Sequence, residues 1–427
     1  MGFNPGTVAV KPLTAEDFRQ MSEGTLGLTP IMFQGIPRNF FTTSAYTSAT
    51  YAMRLRERIR ARGHRFWFPN FSNGGASSIE VQNTNPITIK ANLLLALTSG
   101  PTIPLTFGGQ LSVTIPAHIS GVWSDPIEVD LPQDMTPLML TYVSVSDVGM
   151  KWPNVSYGNA GAGEGVTTGS DQTASLTGVT GANGYVYGPM AAYGIPGKST
   201  RAARLGIGGD SIDRGATTSR DVEGLNIVAP ISQTAVANIA AYGESAVGFI
   251  APAGHKNRTA FLSGCTSWYT GWGVNDIQAG GITVAQLAAR LIATWQIFYD
   301  RTGVLGYQRT ITPKTMSTDG WATPGNQAVA SAPWSHAVRT GLNDWLRDGA
   351  PMLNGVYVAP GSSAPGTIRK GDPGHFISGI LDWADIVETA RNSGIFKAGY
   401  SFDGIHLNPV AYTAIAAGID WSKLGII

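Results

Sequence analysis

Beyond about residue 197 the chain alternates between two periods, and that alternation constrains its fold more than any other feature. "RLGIGG" (204–209), "AVANIAAYG" (235–243) and "TAFLSGCTSWY" (259–269) read as short apolar strands. "TVAQLAARLIATWQIFYDRTG" (283–303) reads as a helix. Thr283 with Gln286 three residues on forms a capping box. Leu287, Leu291, Ile292, Trp295 and Phe298 share one face, and Gly303 suits the C-terminal cap. A strand over 304–312, a helix over 335–349 with Val338, Leu342, Trp345 and Leu346 aligned, a strand over 354–360 and a closing helix over 408–419 follow. Strands alternating with helices predict an α/β unit, a parallel sheet wrapped by helices.

The preceding half has another texture. Residues 1–30 form a polar leader with no clear period. Then "ITIKANLLLAL" (87–97), "LSVTIPA" (111–117), "DPIEVDLP" (125–132) and "LMLTYVSV" (138–145) are short runs rich in β-branched residues, split by turn residues. Their even spacing predicts an antiparallel, jelly-roll-like β-sandwich over 31–196. Residues 156–184, rich in Gly, Ser and Thr, read as a long loop or linker, and "YVYGPMAAYGI" (185–195) as a last strand. The expected division is therefore 1–30, 31–196 and 197–427.

Composition narrows the partners. Charged residues are 13% of the chain, against a usual value of about 25%, and the formal net charge is +1. Such a chain is no general magnet for nucleic acid or membranes. No run of about 18 apolar residues predicts a transmembrane helix. The single cysteine, Cys265, excludes an internal disulfide and a cysteine zinc cluster. The run "RLRERIRARGHR" (54–65) alternates arginine with other residues and reads as one charged strand face, more readily solvated than a glycan or nucleic-acid patch. The N-terminal stretch has no basic region followed by a long apolar one. With the low charge, this points to an extracellular or virion-associated protein.

The stretch "ARLGIGGDSIDRG" (203–215) can be a phosphate cradle, an ordinary turn or a turn that presents a nucleophile. The dinucleotide loop fails, because Ser211 stands where the last glycine is needed and Asp210 would face the phosphate. "GIPGKST" (194–200) fails as a phosphate loop, with two residues between its glycines where four are required. The six histidines form no His-x-x-x-His pair for a metal. A turn that presents Ser211 as a nucleophile gains from two further motifs. "SFDGIHLNPVAY" (401–412) places Asp403 three residues before His406, so a carboxylate can reach Nδ1 and leave Nε2 for a serine hydroxyl. "GWGVND" (271–276) supplies the side-chain amide of Asn275.

Gly209-Asp210-Ser211, Gly273-x-Asn275-Asp276 and Asp403-x-x-His406, in this order over residues 200–420, resemble the motifs of the SGNH (GDSL-type) hydrolase superfamily. The resemblance implies a flavodoxin-like α/β/α fold with its site at the carboxyl ends of the strands. It implies Ser211 as nucleophile, His406 as general base and then acid, and Asp403 as the carboxylate that orients it. It implies an oxyanion hole from the N–H groups of Ser211 and Gly243 and the amide of Asn275. The glycine block is the weakest match, and it is placed at Gly243. No cofactor is required.

Within that family, Trp268, Tyr269 and Trp272 beside the Asn275 motif, and Trp321 in the loop after the fourth strand, are candidates for stacking on sugar. The expectation is a serine esterase that removes a small acyl group, acetyl first, from a carbohydrate. A lipolytic esterase or thioesterase of the same fold is the alternative enzyme. A glycan-binding or virion structural protein with a blocked site, covered by the loop 361–380 or the Gly-rich segment, is the non-enzymatic alternative.

Overall fold

The computed structural model describes residues 29–33, 37, 39–43, 45–55, 61–73, 79–95, 102–129, 131, 137–158, 163–181, 184–196, 204–215 and 234–426. The leader expected over 1–30 falls almost wholly outside them. The chain divides into two compact units, Met1–Gly74 with Glu80–Thr200, and Gly75–Ile79 with Arg201–Ile427. Among the described residues no helix is long and apolar enough to cross a membrane.

The first unit is built on two antiparallel sheets. One orders its strands Thr29–Phe33, Ala191–Pro196, Ala61–Pro69, Gly121–Trp123. The other runs Gly165–Thr168, Ser48–Arg54, Leu138–Ser144, Ile87–Leu94, Thr102–Pro104, with Val113–Ile115 also on Ile87–Leu94. Leu138–Ser144 pairs along its whole length on both sides. Burial alternates only at the start of Ile87–Leu94, where Ile87 and Ile89 are buried and Thr88 and Lys90 half-buried, whereas Ser48–Met53 is buried at every position.

Three expectations for this unit need correction. The described residues of 125–132 form no strand. Ile127 and Leu131 make isolated bridges to His64 and Ala61, while Asp125 accepts the N–H groups of Gly108 and Gly109 and the Thr106 hydroxyl. The run 54–65 is not one charged strand. Arg54 ends one strand and Ala61 begins another in a different sheet; Arg62 is exposed, and Arg65 donates to the Ser124 carbonyl. Its residues 56–60 lie outside the described ones. The stretch 156–184 is more than a linker. It supplies Gly165–Thr168 to a sheet edge, and Ser156–Gly158 pairs with Gly184–Val186. It is tied down by Thr50 donating to Ser170 and by the Lys90–Asp171 ion pair.

The second unit holds a five-stranded sheet: β1 (Arg204–Gly208), β2 (Ala235–Asn238), β3 (Ser267–Thr270), β4 (Gly306–Arg309) and β5 (Ile377–Leu381). The spatial order is β2-β1-β3-β4-β5, with every pairing parallel. The helices used below are α1 (Ser211–Arg214), α2 (Ala246–Ile250), α3 (Val274–Gln278), α4 (Val284–Thr302), α5 (His336–Arg347), α6 (Trp383–Val387) and α7 (Pro409–Gly418). Helix α4 carries the expected capping box of Thr283 and Gln286 and ends at Gly303 in the left-handed conformation. Its Leu287, Leu291, Trp295 and Phe298 are fully buried, and Trp295 stacks on Trp345 of α5, with ring centres 5.7 Å apart.

The structure revises three elements here. The third strand begins only at Ser267, because Arg258–Leu262 forms a 3₁₀ turn. Residues 354–360 do not enter the sheet. Asn354 and Gly355, both at positive φ, turn Met352–Leu353 back on Val356–Tyr357 as a small hairpin. The fifth strand is instead Ile377–Leu381, which takes up the last residues of the stretch expected to be a loop over 361–380. Residues 361–376 lead to the amino end of the sheet, where Gly306 donates to Phe376, so they do not cover the carboxyl end.

Candidate active site

Strand β1 ends at Gly208, and the chain turns through Gly209 and Asp210 into α1. Asp210 is the helix cap. Its carboxylate accepts the Ile212 N–H at 2.9 Å, and the Asp213 carboxylate accepts the Asp210 N–H at 3.2 Å. These reciprocal bonds satisfy the first orphan donors of a helix only four residues long. Ser211 is its first residue and is 8% exposed.

The second segment, 401–408, is a closed loop before α7. Ser401 Oγ accepts from the Gly404 N–H and donates to the His406 carbonyl, both at 2.8 Å. Asp403 Oδ1 accepts the N–H groups of Ile405 and His406, and Oδ2 lies 2.6 Å from His406 Nδ1. On its other side His406 Nε2 stands 2.7 Å from Ser211 Oγ. Burial works against the charge on Asp403, but the His406 ring and the two backbone N–H groups outweigh it and hold its carboxyl below the usual range. An ionised carboxylate only accepts hydrogen bonds, so Nδ1 carries the proton and Nε2 presents its lone pair to the serine hydroxyl. Held so, the imidazole can take the hydroxyl proton and activate Ser211 for attack. The ring of Phe402 stacks on the imidazole at 5.8 Å.

Two further loops leave the same end of the sheet. Gly243 follows β2, with φ 74°, a conformation that favours glycine. Among the described residues neither its N–H nor that of Ser211 meets an acceptor. Asn275, in the first turn of α3, donates to the Glu244 carbonyl at 2.9 Å, tying the loop after β3 to the residue next to Gly243. Backbone bonds from Ala241 to Gly209 and from Gly271 to Gly208 join these loops to the Ser211 turn. Asp276 braces α2 by accepting from Ala246 and Val247.

The expected aromatic rim is mostly core. Trp268 and Trp272 are fully buried. Trp268 donates to the Val304 carbonyl; Trp272 stacks on Phe249 at 4.2 Å and donates to Glu244. Tyr269 is buried as well. None offers a face to a sugar: Trp268 and Tyr269 lie on a central parallel strand covered on both sides, and Trp272, just beyond it, is enclosed by Phe249 and Phe298. Trp321 is different. It is half-buried, its indole N–H donates to Thr315 Oγ1, its carbonyl accepts from Gly399, and its ring edge lies so close over Gly404 that a Cβ there would clash. It therefore sits on the loop that carries Asp403 and His406.

Three fully buried ion pairs escaped the sequence reading, Asp213 with Arg309, Glu244 with Arg258 and Glu388 with Arg339. The signal for the first was a charged residue inside the otherwise uncharged strand "VLGYQRTIT". Among the described residues no group of three or more His, Cys, Asp or Glu side chains could hold a metal ion.

No protein-family model and no curated protein matches the sequence. Solved structures similar to the chain include a member of the lipolytic G-D-S-L family from Veillonella parvula, 17% identical, covering 50% of this chain and 94% of that one with a TM-score of 0.31. A lipase from a goat rumen metagenome is 12% identical over 53% of this chain and 98% of its own, with a TM-score of 0.32. A family two carbohydrate esterase from Clostridium thermocellum, in complex with cellohexaose, is 9% identical over 91% of this chain and all of its own, with a TM-score of 0.31. Likeness at this level does not carry an assignment, which rests on the site itself.

Proposed function

We propose that the second unit is a serine ester hydrolase of the SGNH type, with a flavodoxin-like α/β/α fold, and that the first is a β-sandwich attached to it. The single observation behind this reading is the hydrogen-bonded chain Ser211–His406–Asp403 at the carboxyl end of a parallel sheet. The strand order β2-β1-β3-β4-β5 puts the switch point between β1 and β3, the crevice where open α/β sheets bind ligands. Ser211 follows β1, and Asn275 follows β3.

In the mechanism, Ser211 Oγ attacks the ester carbonyl while His406 Nε2 takes its proton. The Ser211–carbonyl bond forms, and the carbonyl π electrons move onto oxygen. The N–H groups of Ser211 and Gly243 and the free hydrogen of the Asn275 amide would receive that charge, each worth about 3 kcal/mol. Collapse breaks the bond to the alcohol oxygen, which leaves with the proton from His406. Water, deprotonated by His406, then attacks the acyl-enzyme carbonyl; collapse breaks the bond to Ser211 Oγ, which takes the proton back from His406, and the acid is released.

The proposed substrate is an acylated carbohydrate with a small acyl group, acetyl first. Trp321 beside the His406 loop is the aromatic left to support a sugar. A second reading, a lipolytic esterase, draws on Val247, Met316 and Val410, which are 46%, 51% and 59% exposed on segments next to Gly243, Thr315 and His406. Nitrophenyl esters from acetyl to decanoyl separate the two. Fastest turnover on acetyl supports the first reading, and rates that climb with chain length support the second. No turnover of any ester by the wild type would overturn the hydrolase proposal.

A further inference from the structure

Arg309 ends β4, two strands away from β1, yet its side chain reaches the turn that holds Ser211. Nε lies 2.6 Å from Asp213 Oδ1 and Nη2 lies 2.7 Å from Oδ2, a two-armed pair with neither side chain exposed. Nη2 is also 3.4 Å from Asp210 Oδ1, and the guanidinium lies over the Trp383 ring at 5.3 Å. The path is cleared by glycine. A Cβ at Gly271, at the end of β3, would fall on Asp213 Oδ1 and Arg309 Nε, and one at Gly209 would fall on Asp213 Oδ2.

The same Asp213 carboxylate closes the capping box of α1. With four residues, that helix cannot hold its own direction. A buried ion pair adds little net stability, because desolvation offsets the attraction. Its fork geometry instead fixes where Asp213, and with it Ser211 two residues earlier, stands. Given the hydrolase reading, we propose that Arg309 is a positioning residue that, through Asp213, aims Ser211 Oγ at His406.

The test replaces the pair by apolar groups of similar size, Arg309→Met with Asp213→Leu. Hydrolysis of nitrophenyl acetate is followed with a melting curve. A folded double variant is expected to lose about 100-fold in kcat, with KM within about threefold of wild type. A kcat within about twofold of wild type overturns the proposal. If the double variant does not fold, Arg309→Lys keeps the charge and loses the fork, and it should lose kcat in the same way. Full activity of Arg309→Lys overturns the proposal. If the wild type turns over no ester, the hydrolase reading fails by itself. Positioning is then read from the crystal structure of the double variant or Arg309→Lys: Ser211 Oγ moved away from His406 Nε2 supports it, and the distance kept at 2.7 Å contradicts it.

Discussion

Ser211 Oγ and His406 Nε2, 195 residues apart in the chain, stand 2.7 Å from each other. The first comes from the turn after β1, the second from the loop before α7. Tyr412 of α7 holds the two segments together, its hydroxyl donating to the Ile212 carbonyl at 2.7 Å.

Asp403→Asn should keep the fold and lower kcat by about 10³- to 10⁴-fold. The amide oxygen takes the place that accepts the Ile405 and His406 N–H groups, which turns the NH2 donor toward Nδ1, so the favoured tautomer is lost. Steady-state kinetics with an unchanged melting curve would check this, and a loss below about tenfold would contradict the assigned role.

Asn275→Ala should lower kcat by about 10²-fold. It should also cost about 1 kcal/mol of stability through the lost bond to Glu244. Gly243→Ala separates conformation from contact. A Cβ there meets open space, so the expected loss of about 1–2 kcal/mol comes from φ 74° alone. Urea unfolding of both variants measures the two effects.

Burial pushes the Asp210 carboxyl up to about 7, with Asp213 adding to the rise and Arg309, the Ile212 N–H and His406 opposing it. The folded state then binds this proton more tightly than the unfolded chain does. The stabilisation is full below the ordinary carboxylate value and is lost as pH rises through about 7. Unfolding free energies at pH 5 and pH 8 should therefore fall more steeply with pH in wild type than in Asp210→Asn. Equal slopes would contradict the raised value.

The tryptophans should divide. Trp272→Ala removes a fully buried ring and should cost about 3–5 kcal/mol, enough to impair folding. Trp321→Ala removes a half-buried ring that packs on the His406 loop, so it should lower the melting temperature by a few degrees and raise KM for an acetylated oligosaccharide by up to about tenfold, more than for nitrophenyl acetate. Calorimetry and paired kinetics distinguish the two outcomes.

What the sequence made legible was local. Asp403 and His406 are three residues apart, and Gly209-Asp210-Ser211 is contiguous, so one short motif each carries the geometry. Helix α4 announced itself through its cap and its apolar face. What stayed hidden depends on distant partners. Arg309 meets Asp213 across 96 residues, and nothing in either segment records the pairing. Trp268 and Trp272 lie next to the Asn275 motif in sequence, but the first is on the central strand β3, whose faces are covered, and the second packs between Phe249 and Phe298, so nearness in sequence did not place them at the surface. Strand β5 reads poorly because Gly379 interrupts it; that glycine is required by the Tyr307 ring, which occupies the space of a Cβ. Residues 354–360 carry strand-forming side chains, yet Asn354-Gly355 decided for a hairpin.

Intact-mass spectrometry after treatment with a fluorophosphonate decides whether Ser211 is the nucleophile. Wild type should gain one phosphonyl group, mapped to Ser211 by peptide sequencing; Ser211→Ala should gain none, and His406→Ala should react far more slowly. Equal labelling of wild type and Ser211→Ala, or a label on another residue, would contradict the assignment.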